Sequence, residues 1–199
     1  MRREPLRKGF TLIELVVVIA IAAILLAVAV PSIMSFVQSN RIAAISNDLQ
    51  QTFLSARNNA VRTGVPVVVC ASSSNGGCNA SSFNAGWVAF ADLNRNGALL
   101  IASSTNFGNA VASGTTDLVV LRRSDVNANL RLSVSTASSV TSYRYLPTGR
   151  AEMYNGTWGA PASLLVCDSS SNTSLAKKIV FTSSGRPYVS ALDVGDACP

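Results

Sequence analysis

The sequence predicts an α+β fold, one long N-terminal helix packed on a mainly antiparallel β-sheet domain. Three observations carry that expectation. An apolar run extends from Phe10 to Val30, an apolar period of three to four residues follows it to Val61, and short β-branched segments separated by turn residues fill the chain after Pro66. At 199 residues there is room for a membrane-spanning helix and one globular domain, but not for two domains with separate cores.

The first element is the apolar run. About twenty residues, each rising 1.5 Å, match the roughly 30 Å of a bilayer's hydrocarbon core. Arg2, Arg3, Arg7 and Lys8 stand before it, so the N-terminus is expected to stay cytoplasmic and the remainder to be exported. A secretory signal would have a shorter apolar region with a small-residue cleavage site after it. Those basic residues, offset by Glu4, supply +3 of the net charge of +6, and what remains is weak ground for a nucleic-acid partner. Glu14 is the anomaly. An ionised carboxylate in hydrocarbon costs on the order of 2–3 kcal/mol, so it is expected to face a partner, and near a chain start the natural partner is an amino group. A plain single-pass anchor leaves Gly9 and Glu14 unexplained.

Gly9-Phe10-Thr11-Leu12-Ile13-Glu14 resembles the class III leader of type IV pilins and type II secretion pseudopilins. The resemblance implies that a prepilin peptidase cuts between Gly9 and Phe10 and methylates the new N-terminal Phe10. It also implies that Glu14 then pairs with the N-terminal amine of a neighbouring subunit, since such a charge pair in a low-dielectric bundle sets register. Pro31 matches the kink-forming proline of that family. Residues 1–9 are thus expected to be a cleaved leader, 10–31 the transmembrane and filament-core helix, 32–64 an amphipathic continuation, and 65–199 an exported β-rich domain. The expected location is a bacterial inner membrane, single-pass with the C-terminal domain periplasmic, and afterwards a filament tip.

Beyond the run, Ile33, Phe36, Val37, Ile42, Ala44, Ile45, Leu49, Phe53, Leu54, Ala56, Ala60 and Val61 recur mostly at spacings of three and four. Gln38, Arg41, Asp48, Gln51 and Arg57 fall between them. Gly64 and Pro66 then end the helix. Strands are expected over 65–70, 86–91, 117–121, 130–134, 142–146, 163–167, 178–181 and 187–189, from β-branched and aromatic runs bounded by turn residues. Ser72 to Gly77, Ser103 to Gly114 and Ser135 to Thr141 read as loops.

The blocks Ala56 to Arg62, Trp87 to Gly97, Tyr145 to Arg150 and Ser184-Gly185-Arg186 resemble the minor pilins and pseudopilins grouped as GspH, FimT and FimU. That likeness implies two facing antiparallel sheets packed on the helix. It also implies a low-abundance subunit, partnered by other pilins or pseudopilins, that initiates or caps a type IV pilus or a type II secretion pseudopilus.

Cys70, Cys78, Cys167 and Cys198 all follow the apolar run, on the side where oxidation is expected, and three pairings are open. Cys70 with Cys78 would close a small Ser/Gly loop, and Cys167 with Cys198 would tie the C-terminal end to the sheet, so this pairing is favoured. The second bond would contribute roughly 3–4 kcal/mol on the chain-entropy model. Zinc is disfavoured because no close Cys-x-x-Cys pair occurs, and no cofactor is expected. Asp92-Leu93-Asn94-Arg95-Asn96-Gly97 opens like a calcium loop, yet its twelfth position is Ser103 rather than a bidentate Glu, which favours a turn.

The chain has no His, and neither Gly-x-Ser-x-Gly nor Ser-x-x-Lys stands in a plausible context, so no enzyme is expected. The alternative to a purely structural role is DNA uptake. Some relatives bind DNA through a Gly-Arg-x-Arg motif, which Gly185-Arg186-Pro187-Tyr188 matches in part. Lys177, Lys178, Arg186 and Tyr188 would then supply phosphate contacts and a stacking platform.

Overall fold

In a computed structural model of the chain, helix α1 runs from Leu12 to Thr63. Described are residues 10–72, 77–78, 80, 82–95, 97, 117–124, 126, 130–134, 142–168, 173–193, 195–196 and 198, without the side chains at 28–32, 130, 133 and 134. Gly9 and the loops expected at 103–114 and 135–141 lie outside them. The chain divides into two units, Met1–Gln38 and Ser39–Pro199.

In the first unit every side chain from Leu12 to Ala27 is exposed, Leu12 at 81% and Ile24 at 68%. Among the described residues no helix is long and apolar enough to cross a membrane, and the apolar run's side chains are described only as far as Ala27. Helical backbone continues through Pro31.

The second unit begins with the rest of α1 and continues, among the described residues, through ten strands and one short 3-10 turn. A six-stranded sheet holds β1 (Val67–Ala71), β2 (Gly86–Ala91), β3 (Leu118–Ser124), β5 (Ser142–Tyr145), β6 (Ala151–Asn155) and β7 (Thr157–Gly159) in the order β3-β2-β1-β5-β6-β7. A four-stranded sheet holds β4 (Leu130–Val134), β8 (Leu164–Asp168), β9 (Lys177–Phe181) and β10 (Pro187–Ala191) in the order β10-β9-β8-β4. Every pairing is antiparallel.

The helix joins both sheets in one core because its apolar stripe has the right period. Ile42, Ile45, Leu49, Phe53, Ala56 and Ala60 are buried, while Arg41, Gln51 and Val61 face outward. Val67, Val69 and Ala71 of β1 meet this stripe from one sheet, and Leu164, Val166 and Ile179 meet it from the other. At the centre the Phe53 ring stands edge-on to Tyr143 of β5 at 5.3 Å and to Phe181 of β9 at 5.0 Å, so three aromatic rings join helix and sheets. The buried Trp87 donates its indole N–H to Thr52 Oγ1 at 3.0 Å, and the Thr52 hydroxyl donates to the Asp48 carbonyl at 2.9 Å.

The helix stops where the sequence places its stop. Gly64, at φ 70°, donates its N–H to the Ala60 carbonyl at 3.0 Å, a left-handed cap that a β-carbon would disfavour. Eight strands fall where expected to within a few residues. The ninth and tenth were not expected: β6 and β7 form a hairpin around Gly156, with Tyr154 opposite Trp158 and Asn155 opposite Thr157. β6 contains no β-branched residue and β7 has three residues, which explains the omission. Asn155-Gly156 between two aromatics is the turn signal that could have revealed it.

Candidate assembly site

Thr11 begins α1 as its cap. Its Oγ1 accepts the Glu14 N–H at 3.3 Å and its carbonyl accepts the Leu15 N–H at 3.2 Å. Thr11 and Glu14 have the Thr-x-x-Glu spacing of a capping box, a signal readable in the sequence. Glu14 therefore stands in the first helical turn, where unpaired backbone N–H groups and the helix dipole favour an anion. Phe10 precedes it at 83% exposure, and Glu14 is itself exposed. Phe10 and Glu14 thus stand four residues apart at the chain end that would follow cleavage after Gly9.

The cysteines form two bonds. Cys70 at the end of β1 joins Cys78 with Cα atoms 5.4 Å apart, and Cys167 of β8 joins Cys198 with Cα atoms 5.9 Å apart. Beside the second bond lies a charge cluster that the sequence did not reveal. Lys178 Nζ, on a side chain only 8% exposed, donates to Asp193 Oδ2 and, at 2.8 Å, to Asp196 Oδ2. The Asp193 N–H donates to Asp196 Oδ2 at 2.9 Å, which closes the loop on itself. Hydrogen bonds to Asp193 and Asp196 push the Lys178 ammonium above its ordinary value, and the bond from Lys178 holds the Asp196 carboxyl below its own.

This arrangement divides the four residues considered for DNA contact. Lys178 is buried and committed to two carboxylates, because a strand position that pairs with Ser190 of β10 brings it under the C-terminal loop. Lys177 precedes it in β9 and so points to the opposite face of the sheet. Arg186 and Tyr188 are exposed, the latter at 45%. The four do not make one surface.

Asp92 behaves as the turn reading expects. Its Oδ2 accepts the Gly97 N–H at 2.9 Å while Gly97 takes φ 72°. Among the described residues no group of acidic or Cys side chains could hold a metal ion.

Two turns built alike, one from each sheet, meet beside the core. In Leu146–Arg150 the Leu146 N–H donates to the Arg150 carbonyl and the Gly149 N–H to the Leu146 carbonyl. In Thr182–Arg186 the Thr182 N–H donates to the Arg186 carbonyl and the Gly185 N–H to the Thr182 carbonyl. A β-carbon on Gly185 would stand 2.1 Å from the Gly149 oxygen, so the turns can touch only through glycine. Arg57 of α1 donates its Nε–H to that same Gly149 oxygen at 3.2 Å, which ties the helix to the junction.

The comparisons with known proteins agree with this architecture. Residues 46–185 match the family model described as type II transport protein GspH, and residues 5–30 match the prokaryotic N-terminal methylation motif. No curated protein matches the chain. Among solved structures, the crystal structure of the type IV minor pilin FimU of Pseudomonas aeruginosa PAO1 superposes with a TM-score of 0.50 at 12% identity, over 82% of this chain and 96% of that one. A second crystal form of FimU gives 0.47 at 12% identity over 78% and 96%. The likeness to FimU concerns the fold: an N-terminal helix packed on two antiparallel sheets. The family is structural rather than enzymatic, and with its model matched over most of the chain and the methylation motif ahead of it, this protein belongs to the GspH family of pilin-like proteins.

Proposed function

We propose that the chain is a minor pilin or pseudopilin that initiates or caps a filament, either a type IV pilus or a type II secretion pseudopilus. The observation that carries this reading is the Thr11-capped helix start, which places Glu14 in the first helical turn, four residues after Phe10 in the sequence. A prepilin peptidase cuts between Gly9 and Phe10 and methylates Phe10. Residues 10–31 then form the membrane-spanning and filament-core helix, kinked at Pro31, with residues 1–9 removed, 32–64 continuing as an amphipathic helix, and 65–199 exported. The methylated amine of one subunit and Glu14 of its neighbour neutralise each other in a medium where an unpaired carboxylate is costly, and so fix register.

Mass spectrometry of the membrane-extracted chain tests the processing: the expected species starts at Phe10 and carries one added methyl group. An intact leader, or an unmethylated Phe10, would falsify it. Neighbouring genes separate the two machines, since pilus tip subunits and a secretion ATPase with its secretin define different loci. The DNA-uptake reading is left with Arg186 and Tyr188, and a gel shift with no salt-sensitive binding at micromolar protein removes it.

A further inference from the structure

An open cleft of about 530 Å³ lies beside the touching turns, lined among others by Arg150, Trp158, Gly159, Pro161, Phe181 and Ser183. Its charge is unbalanced. Among the described residues the only carboxylate lining it is Glu152, already paired with Arg144, whose Nε–H donates to Glu152 Oε2 at 3.2 Å. Arg150 is exposed and has no ion pair among the described residues. Arg186, on the adjoining turn, is also exposed and without an ion pair among the described residues, and Arg57 is bonded to the Gly149 carbonyl. Two exposed arginines without an ion pair among the described residues, Arg150 in the cleft and Arg186 on the adjoining turn, leave this side with a positive field that favours an anionic ligand.

One side of the cleft is an open strand edge. β7 is the last strand of its sheet, and among the described residues its outer edge makes no backbone hydrogen bond. A β-carbon built on Gly156 or Gly159 would meet no atom within 4 Å, so the approach is clear. Such an edge offers backbone pairing to an extended peptide. Single-stranded nucleic acid fits less well, because the Trp158 ring is already covered by the Arg144 guanidinium 4.1 Å from its centroid and by Tyr154 at 5.2 Å.

We propose that this cleft receives an extended acidic segment of a neighbouring subunit, whose backbone adds to the edge of β7 and whose carboxylates pair with Arg150 and Arg186. Only the source of the segment rests on the filament-subunit reading. The test uses the full chain in detergent micelles, titrated with a short fluorescent peptide of alternating Glu and Val. Binding is expected, falling as salt rises, and weakening about tenfold on Arg150→Glu. Arg150→Gln, with an unchanged melting temperature, should weaken it less. Replacing Glu by Gln in the probe, or methylating alternate backbone amides, should each weaken binding as well. The proposal is overturned by an absence of binding, by equal binding of the Glu and Gln probes, by indifference to amide methylation, or by indifference to both Arg150 variants. It is also overturned if an oligothymidine strand displaces the peptide and binds in an Arg150-dependent way. Leader processing is read separately by mass, so failure here leaves that reading standing and the reverse holds too.

Discussion

Thr52 shows what one side chain contributes to this core. Its hydroxyl is the acceptor for the indole N–H of the fully buried Trp87, and Thr52 is itself buried. Thr52→Val keeps the shape and removes the acceptor, leaving a buried donor unsatisfied, so a loss of about 1–3 kcal/mol is expected in urea unfolding with an unchanged slope. Lys178 is the second test. Asp193 is mostly exposed, at 78%, and contributes little, so the weight falls on Asp196, at 17%. Lys178→Met should destabilise by about 1–2 kcal/mol and release the C-terminal loop as far as Cys198 allows. The pH dependence follows from the two shifts. Asp196 has a lowered folded value, so its contribution is present above the usual carboxylate range and lost as pH falls through the lowered value. Lys178 has a raised one, so its contribution is present below the usual ammonium value and lost as pH rises through the raised value. Hydrogen exchange of the Asp193 and Asp196 amides should therefore be slowest, after correction for intrinsic rates, between about pH 5 and pH 10. In Lys178→Met the alkaline limb should vanish and the acid limb weaken, since the Asp193 N–H still holds the Asp196 carboxylate.

At the scale of elements, the junction of the two Gly-Arg turns separates backbone strain from packing. Gly185 and Gly156 have nearly equal φ, 80° and 76°, yet a β-carbon on Gly185 would strike the Gly149 oxygen and one on Gly156 would meet no atom within 4 Å. Gly156→Ala should cost about 1–2 kcal/mol, the price of a left-handed non-glycine residue alone. Gly185→Ala should cost clearly more and broaden the thermal transition by loosening the contact between sheets. Glycine at 185 was legible as part of a family-like block, but its reason was not, because the contact is with a residue 36 positions earlier in another sheet. The same distinction runs through the whole fold. The helix stripe, its Gly64 stop and the β-branched strands were legible because local period and propensity agree with burial there. The burial of Lys178, a candidate phosphate contact in the sequence, was not legible because its partners come from a loop beyond β10, nor was β6, because cross-strand pairing rather than propensity makes it a strand.

At the scale of the molecule, the decisive question is whether Glu14 acts between copies rather than within one. Its place in the first turn already gives it a local role, since an anion beside the unpaired N–H groups stabilises the helix start by a few tenths of a kcal/mol to about 1 kcal/mol. A purely local role and an assembly role make different predictions. If Glu14 only helps cap α1, Glu14→Gln should behave almost as the parent, because Thr11 Oγ1 still caps the Glu14 position's N–H. If Glu14 neutralises a neighbour's N-terminal amine, Glu14→Gln leaves that amine unpaired in hydrocarbon and should abolish incorporation while processing after Gly9 continues. The measurement is the fraction of chain recovered in sheared filaments against the fraction in membranes, with the mass of each species read alongside. A bulky replacement at Gly9 should do the opposite, keeping the leader attached and blocking the methyl on Phe10. Glu14→Asp should recover part of the filament fraction, because the charge returns on a shorter side chain. Full incorporation of Glu14→Gln would reduce Glu14 to a capping residue and leave subunit register to be set by packing of the helix alone.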